Sequence, residues 1–428
     1  MNSSSPFAGK HLLLIGTGGV KRRRVMEALC ALGLGRITCL NDVVNWADAH
    51  VDDWILADPT RPSPSTAELV RSRIGRPDAV FTYDDYSVLL TAHLARAFDR
   101  PGLAPEAAER AKDKDVFRRV CRDHDLPAPR SWRLDPARPA FDLSALPFPV
   151  VVKPTHGAGS VLVRRVDDAD ALARTLTNHA QALASEPAAA LWPDRSVVIE
   201  EYIAGEEVDV DLLVQEGALR YAAVSDNDPP IEPYFMEVAG RIPSSLDPAA
   251  QSALIDTAHR VLLALGVDDG CVHFEARWTE RGAVPIEANL RLGGAEVYSF
   301  QRGAYGVDLV EQAVRIALGA PVTATAPIRP LRHLRSAALN PDRSGVLRRL
   351  EAEPWVLAHP DLVELCLFRA AGDRVRVPPL GFDYVGWIVA AGAGPEQADA
   401  RLAELFRGVH VDVDPIPLSD EKPGEKPR

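Results

Sequence analysis

The sequence predicts an α/β fold in which a parallel sheet opens the chain and a larger α+β region follows. The first observation is an alternation of apolar segments and amphipathic helical segments over roughly the first hundred residues, which is typical of β-α-β units. The second is a set of later runs in which apolar and polar residues alternate between glycine- and proline-rich turns. A length of 428 residues is enough for two or three domains with a sizeable core.

The N-terminal segment carries the strand and helix signals of the parallel sheet. The apolar run at 11–19 ends in a glycine turn, and a predicted helix at 20–33 is stopped by a glycine. Residues 36–42 add a strand, and residues 78–98 add a strand followed by a helix. The glycine turn lacks the G-x-G-x-x-G spacing of a dinucleotide site, so we interpret it as a tight turn. The basic residues at 21–24 are expected to form a solvated face, with anion binding at the helix start as the alternative.

The rest of the chain contains both helical and strand patterns. A charged helical region at 103–125 is followed by a proline-rich stop. The later elements are a strand with a glycine loop at 148–166, a helix to about residue 186, a strand at 196–214, a proline-rich loop at 226–235, helices at 246–266 and 308–319, short strands from about residue 325 and a helix at 395–408. The polar, low-complexity end is predicted to be disordered.

The composition argues against several functional classes. The formal net charge of −12 at pH 7 argues against binding to a nucleic-acid backbone. No apolar run reaches the length of a membrane span, and the N-terminus lacks the apolar core of an export signal. The five cysteines are scattered and form no C-x-x-C or Cys/His cluster, so neither a disulfide framework nor a zinc site is predicted. We therefore expect a cytoplasmic protein whose cysteines are buried as small apolar residues.

The segment at 271–294 brings three oxygen ligands together in a predicted hairpin. Apolar and polar residues alternate around Glu275, a turn follows at 280–282, and a second apolar run leads to Glu287 and Asn289. Antiparallel strands joined by this turn would bring both carboxylates to one point, and carboxylate and amide oxygens suit Mg²⁺. The alternative is a solvated hairpin with scattered charges.

Arg291 and the pair Gly293-Gly294 directly follow these ligands. A solvated hairpin does not explain them, whereas glycines let the backbone run close to a ligand. We therefore favour the metal site.

A second motif combines a lysine strand with a glycine loop. Lys153 ends an apolar run and is followed by Gly157, Gly159 and Ser160. Small residues leave backbone N–H groups free to wrap phosphate oxygens, and the lysine adds a point charge where the strand ends. The lysine precedes the glycines, so this is not a Walker A loop. The alternative is a glycine-rich hairpin without a ligand.

A third motif follows a strand that runs into Glu200, Glu201 and Ile203, with a turn at Gly205 and a further carboxylate at Glu207. The connecting segment can offer backbone N–H and C=O groups to an adenine edge, and the later carboxylate can accept two ribose hydroxyls. Taken alone, the motif would be an acidic surface hairpin. The order of the motifs along the chain shifts the preference from a surface hairpin to a nucleotide-binding segment.

Lys114 and the three motifs, taken in order, resemble the ATP-grasp superfamily. Within it, the chain looks most similar to the carboxylate–amine ligases that include L-amino-acid (dipeptide) ligases and carnosine synthase, over residues 10–410. The resemblance implies an ATP-grasp fold with an N-terminal Rossmann-like domain at 1–110, an ATP-grasp domain at 111–320 with a lid near 130–203, a C-terminal subdomain at 321–415 and a disordered tail at 416–428.

The resemblance also implies roles for individual residues. Lys114, with Lys112 as a nearby competitor, and Lys153 would contact the phosphates of ATP. The lid loop, the adenine hinge and the ribose ligand would be Gly157, Gly159, Ser160, Glu200, Glu201, Ile203 and Glu207. Mg²⁺, or Mn²⁺ as its substitute, would be held by Glu275, Glu287 and Asn289.

The implied substrate site lies beside the metal. Arg291, which with Lys153 would be catalytic, would hold the substrate carboxylate and the charge of the reaction intermediate. Glu237 resembles the acidic position that meets the amino group of a substrate. The substrate would be bordered by Gly293, Gly294 and Ala295. Some dipeptide ligases place a bulky side chain where Ala295 stands, so the small alanine predicts a wider pocket.

The implied reaction joins a small-molecule carboxylate to a small-molecule amine through an acyl phosphate, with ADP and phosphate released. Family members often form homodimers, so a homodimer is one expected assembly. The first alternative is an ATP-grasp carboxylase that uses bicarbonate, of the biotin-carboxylase or purine-pathway type. The second is a nucleotide-binding protein without catalysis, against which the presence of both lysines and all three metal ligands argues.

Overall fold

The computed structural model of the chain describes residues 5–135, 145–185, 195–324, 329–378 and 381–415. Across these ranges the strands assemble into a parallel N-terminal sheet, a four-stranded lid sheet, an eight-stranded central sheet and a small three-stranded sheet. The predicted disordered tail at 416–428 lies outside the described residues. No helix in the described part of the chain is long and apolar enough to cross a membrane.

The N-terminal sheet confirms the predicted β-α-β arrangement. Its elements are β1 (His11–Ile15), α1 (Arg23–Ala31), β2 (Arg36–Asn41), β3 (Asp53–Leu56), α2 (Pro64–Ile74), β4 (Ala79–Phe81) and α3 (Val88–Ala97). The strands pair in parallel in the order β3-β2-β1-β4. A 3-10 turn at Val20–Arg22 replaces the first turn of the helix predicted at 20–33, as is common at helix starts.

Two helices replace the single helical region predicted at 103–125. Helix α4 (Pro105–Lys112) and helix α5 (Lys114–Asp123) meet at Asp113, whose backbone is extended with φ −88° and ψ 109°. The Asp113 carboxylate accepts hydrogen bonds from two backbone amides of the next turn and so caps α5. The break places Lys114 at the first position of α5.

The lid sheet carries the predicted lysine strand. Its elements are β5 (Ser131–Leu134), β6 (Val150–Pro154), β7 (Arg164–Val166), α6 (Ala169–Ser185) and β8 (Val197–Glu201). The strands pair antiparallel in the order β5-β8-β6-β7. Leu172 and Leu176 of α6 are buried against the sheet, so helix and sheet share one core.

The central sheet contains the predicted metal hairpin. The elements that begin it are β9 (Glu206–Gln215), β10 (Ala218–Asn227), β11 (Ala239–Ile242), α7 (Pro248–Leu265), β12 (Gly270–Thr279), β13 (Gly282–Asn289), α8 (Val297–Tyr305) and α9 (Leu309–Ala317). Strands β12 and β13 pair antiparallel, as predicted, with Glu275 opposite Glu287. One face of the sheet packs on α7 through Val210, Phe274 and Leu262 in the central core.

The C-terminal part completes the same central sheet. Its elements are β14 (His333–Leu339), β15 (Gly345–Ala352), α10 (Pro354–Leu357), β16 (Leu362–Leu367), β17 (Arg374–Val375), β18 (Gly386–Gly392), α11 (Pro395–Phe406) and β19 (Val409–Pro415). Strands β14, β18 and β16 continue the sheet beyond β11, while β17, β15 and β19 form the small sheet. All five cysteines are free; three are buried as predicted, and Cys30 and Cys366 are half-buried.

Candidate active site

A polar face runs across three neighbouring strands of the central sheet. Because side chains alternate along a strand, the apolar residues of β9 and β12 enter the core and the polar residues face the other way. The register places Asp209 of β9 opposite Glu275 of β12, and Glu275 opposite Glu287 of β13. The carboxylates predicted from separate motifs therefore meet on one surface.

The predicted metal ligands Glu275, Glu287 and Asn289 lie together on this face. The Asn289 amide nitrogen donates to Glu275 Oε1 at 2.9 Å. Burial and the charge of Glu287 raise the pKa of Glu275. Burial alone would also raise the pKa of Glu287, but Lys114 holds it below its ordinary value. Two carboxylates that repel each other beside an amide form a hard oxygen set that fits a divalent cation.

No group of three or more His, Cys, Asp or Glu side chains suited to a metal occurs among the described residues. The predicted ligand set of the hairpin consists of two carboxylates and one amide. Such an incomplete set suits Mg²⁺, which usually takes one or two protein carboxylates and keeps its other positions for phosphate oxygens and water.

The two predicted phosphate lysines are nearly fully buried, Lys114 at 6% exposed and Lys153 at 4%. Lys114 donates to Glu287 at 2.8 Å and to the Gly157 carbonyl at 3.3 Å. Burial would lower the pKa of Lys114, but Glu287 raises it above its ordinary value. Lys153 donates to Glu200 at 2.7 Å, and burial nevertheless lowers its pKa. Both ammonium groups therefore lie at the cleft, each beside a carboxylate.

A cleft of about 130 Å³ lies between the lid and the central sheet. Its lining brings together most of the predicted nucleotide and metal residues: Lys114, Lys153, Gly157, Gly159, Ser160, Glu200, Glu201, Ile203, Glu207, Glu275 and Glu287. In the lid loop Gly157 and Gly159 have φ of 152° and 65°, where a side chain would strain the backbone. Three motifs that are far apart in the sequence thus enclose one cavity.

The acidic residues of the third motif are engaged in ion pairs. Both oxygens of Glu200 are occupied by cations, so its side chain is engaged within the protein. Glu201 pairs at the rim with Arg130 at 2.9 Å. Glu207 pairs with Arg277 at 2.6 Å, while burial raises the pKa of the Glu207 carboxyl. A ribose at Glu207 would therefore share this carboxylate with Arg277.

Arg291 is held from two sides. Its Nε lies 3.6 Å from Asp85 of the N-terminal domain, and its Nη1 donates to the Leu292 carbonyl at 3.0 Å. The following turn is tight, because a Cβ at Gly293 would lie 2.5 Å from Val297. Arg291, Gly293, Gly294 and Ala295 thus form one rigid corner at the end of the polar face.

Glu237 lines the nucleotide cleft on the side away from the lid loop. Its carbonyl accepts a hydrogen bond from the Asn340 amide at 3.0 Å. Its side chain remains accessible to solvent although protein surrounds it, and this enclosure, with Glu296 and Asp209, raises the pKa of its carboxyl. A carboxylate among other carboxylates is a suitable environment for a substrate amine.

A second cavity, of about 880 Å³, also reaches two of the predicted metal ligands. It is bounded by Asp85, Lys112, Glu287 and Asn289, and apolar residues such as Leu89 form much of its wall. Lys112 pairs with Asp85, so its ammonium is directed away from the nucleotide cleft. Lys114 is therefore the better placed of the two lysines for phosphate, and the second cavity offers space for a substrate.

The lid is joined to the loop at 228–238. Arg165 of β7 pairs with Glu232 at 2.6 Å, and its backbone amide donates to the Pro233 carbonyl at 2.8 Å. The Tyr202 hydroxyl donates to the same Glu232 at 2.7 Å. The acidic loop thus contributes to holding the lid over the cleft.

The interpretation of residues 21–24 as a solvated face is wrong for Arg22. This side chain is only 9% exposed, and its Nη1 donates to the Gly293 carbonyl at 2.7 Å. Burial and the charge of Arg291 lower the pKa of Arg22 to about 10. The two residues are 271 positions apart in the sequence, so no local pattern predicts their contact.

Sequence reasoning also missed polar residues that surround the metal ligands. His273 Nδ1 donates to Asp211 Oδ1 at 2.9 Å, and Asp211 Oδ2 accepts from Gln301 at 2.8 Å. A signal was available, because Glu207, Asp209 and Asp211 alternate with valines and so must share the face of the metal ligands.

Comparison with known proteins identifies the fold. An ATP-grasp domain matches residues 146–298, and L-amino acid ligase C-terminal domain 2 matches residues 337–414. The structure of an L-amino acid ligase from Bacillus licheniformis aligns with a TM-score of 0.81 and 21% identity, over 95% of this chain and 100% of that one. This chain contains an ATP-grasp domain.

Curated relatives of this ATP-grasp protein include two carnosine synthases. Carnosine synthase 1 of Gallus gallus is 33% identical over 434 residues, which cover 96% of the present chain and 46% of that protein. Carnosine synthase 1 of Homo sapiens is 31% identical over 433 residues, with 96% and 52% covered. The chain spans about half the length of these relatives.

Proposed function

We propose that the protein is an ATP-dependent ligase that joins a carboxylate, such as an amino acid, to an amine. The observation that carries the proposal is the convergence on one cleft of two buried lysines and a carboxylate pair, with the Asn289 amide donating to one of the two carboxylates. The L-amino acid ligase C-terminal domain supports an amine acceptor over bicarbonate, because the sequence match extends beyond the shared ATP-grasp domain.

The nucleotide would lie in the cleft under the lid. The backbone at 201–203 would meet adenine, and Glu207 would meet the ribose. Lys114, Lys153 and the glycine loop would contact the phosphates. Glu275, Glu287 and Asn289 would hold Mg²⁺, with Mn²⁺ as its substitute, and the metal would neutralise negative charge on the phosphates.

The chemistry would proceed in two steps. A carboxylate oxygen attacks the γ-phosphorus of ATP, the bond to the β-phosphate oxygen breaks, and an acyl phosphate and ADP form. The amine then attacks the acyl carbon, phosphate leaves, and the nitrogen loses a proton to give the amide. Arg291 would clamp the carboxylate through two hydrogen bonds and stabilise charge on the intermediate. Acyl phosphates hydrolyse, so closure of the lid loop would protect the intermediate from water.

The two substrates would approach the metal ligands from the side opposite the adenine. The second cavity reaches Glu287 and Asn289 and is large enough for a small molecule. Glu237, with its acidic neighbours, would meet an amino group. Ala295 leaves this corner without a bulky side chain. We therefore expect amino acids or similar small molecules as both partners.

An ADP-release screen tests the proposal. Purified protein with ATP and Mg²⁺ would receive amino acids singly and in pairs, with products followed by mass. A product equal in mass to acid plus amine minus water, formed with matching ADP, supports the ligase. ADP release that requires bicarbonate and no amine contradicts it and indicates a carboxylase. Glu287→Gln is the inactive control, since loss of a metal ligand should remove any genuine turnover.

A further inference from the structure

Arg118 has no role in the site as described so far, yet it is the largest fully buried side chain among the described residues. It lies on α5, one turn after Lys114. Its Nε donates to Glu200 Oε1 at 2.8 Å, and its Nη2 lies 3.3 Å from Glu200 Oε2. The same Nη2 donates to the Ile286 carbonyl at 2.6 Å. One guanidinium thus joins α5, the lid strand β8 and the metal strand β13.

The charges around Glu200 do not balance. Glu200 Oε2 accepts from Lys153 as well, at 2.7 Å, so two cations share a single carboxylate. The other phosphate lysine, Lys114, has its own carboxylate in Glu287. The group of Arg118, Lys153 and Glu200 therefore carries one excess positive charge. Lys153 is the member of the group that lines the nucleotide cleft together with Glu200.

We infer that Arg118 is a positioning residue for nucleotide binding, which engages Glu200 so that Lys153 keeps its positive charge available to the phosphates of ATP. The inference rests on the proposed ATP-dependent function. Nucleotide binding can nevertheless be measured without an acid or an amine, so the two can fail separately.

The alternative arrangement explains why the arginine matters. Without Arg118, Glu200 would have Lys153 as its only cation, and a buried pair of one lysine and one carboxylate is neutral. The positive charge of Lys153 would then already be neutralised by Glu200. On binding, part of the negative charge of the triphosphate would lose its water without gaining a cationic partner. The contact to Ile286 would also be lost, which leaves the partly buried Ile286 carbonyl, next to the proposed metal ligand Glu287, without this donor.

The test compares nucleotides that differ in phosphate number. Dissociation constants of wild type, Arg118→Met and Arg118→Lys would be measured by calorimetry for Mg-ATP, Mg-ADP and adenosine. We expect Arg118→Met to weaken ATP binding at least tenfold, ADP binding less, and adenosine binding under threefold. Arg118→Lys keeps the positive charge but loses the planar guanidinium that contacts both oxygens of Glu200. Its affinity for ATP should therefore lie between those of Arg118→Met and wild type.

A double variant separates charge from packing. Arg118→Met with Glu200→Gln removes both charges and leaves Lys153 uncompensated, so ATP affinity should recover at least threefold relative to Arg118→Met alone. Arg335→Met is the control, because Arg335 is also largely enclosed (11% exposed, against 0% for Arg118) and ion-paired, to Asp399 at 2.9 Å, but lies outside the cleft lining. It should leave all three affinities within twofold of wild type.

Three results would overturn the inference. The first is a parallel loss of adenosine and ATP affinity in Arg118→Met, which is what a purely structural role gives. The second is a double variant no better than Arg118→Met. The third is unchanged ATP affinity in Arg118→Met and Arg118→Lys. Wild-type protein that binds ATP but ligates no substrate pair would contradict only the proposed ligase function.

Discussion

At the scale of single residues, Arg291 is the side chain on which the proposed chemistry depends most. Arg291→Ala should lower ligation about a hundredfold, equivalent to about 3 kcal/mol in the barrier, because it removes charge stabilisation at the developing intermediate. ATP binding should stay within a few-fold of wild type. Steady-state ligation and nucleotide calorimetry measure the two effects, and Arg281→Ala, at the exposed rim, is the control. Ligation at the wild-type rate would remove Arg291 from the mechanism.

The carboxylate pair of the hairpin gives a second residue-level prediction. Glu275→Gln combined with Glu287→Gln should abolish metal-dependent turnover, because two neutral amides bind a hard divalent cation weakly. Mn²⁺ binding followed by electron paramagnetic resonance, with and without ATP, measures the metal directly. Glu280→Gln changes an exposed residue in the turn of the same hairpin and should bind Mn²⁺ normally. Undiminished Mn²⁺ binding in the double variant would mean that the cation is held elsewhere.

At the scale of elements, the lid has a built-in sensitivity to acid. His179 of α6 is only 4% exposed, and burial lowers its pKa from 6.5 to about 4. The folded lid therefore binds fewer protons than the unfolded chain between these values. Its stability is complete above pH 6.5 and falls as the pH drops towards 4, by about 2 kcal/mol at pH 5.

His179→Leu should remove this part of the pH dependence. The difference in unfolding free energy between pH 7 and pH 5 should shrink by about 2 kcal/mol relative to wild type. Chemical denaturation at both pH values measures it, and limited proteolysis of the lid gives an independent readout. His124→Leu, which changes an exposed histidine, should keep the wild-type pH dependence. Equal pH dependence in wild type and His179→Leu would contradict the prediction.

The elements that sequence predicted well are those whose pattern is local. The β12–β13 hairpin was predictable because period-two alternation and its turn all lie within one short segment. The split at Asp113 was missed, because a capping aspartate between two helical runs resembles an ordinary charged helix position. Arg118 was missed for a different reason: its partners Glu200 and Ile286 lie 82 and 168 positions away, and only the folded chain brings them together.

At the scale of the whole molecule, the N-terminal domain forms part of the site. Arg22 donates to Gly293, and Asp85 faces Arg291, so the corner proposed to carry the reaction is held by residues of the N-terminal part of the chain. Sequence could place both on their elements but not against residues more than two hundred positions away.

Arg22→Met should therefore affect both stability and turnover. Loss of the donor leaves the Gly293 carbonyl buried without it, which costs about 1–3 kcal/mol. The loosened turn should also lower kcat for ligation, with a smaller change in ATP affinity. Thermal unfolding and steady-state kinetics measure these effects against Arg23→Met, which alters the exposed neighbour. A variant with normal kcat would show that the domain contact serves stability alone.

The short turn of the metal hairpin also limits how this chain can be altered. Thr279 pairs with Gly282, so only two residues separate the strands. An insertion that shifts the register of β13 by one residue would turn Glu287 and Asn289 towards the hydrophobic core. Ile286 and Ala288 would then occupy their positions on the polar face. A tag, a grafted peptide or a duplication at this point would thus replace the proposed Mg²⁺ ligands with apolar side chains. The same insertion in a surface loop would leave the site unchanged.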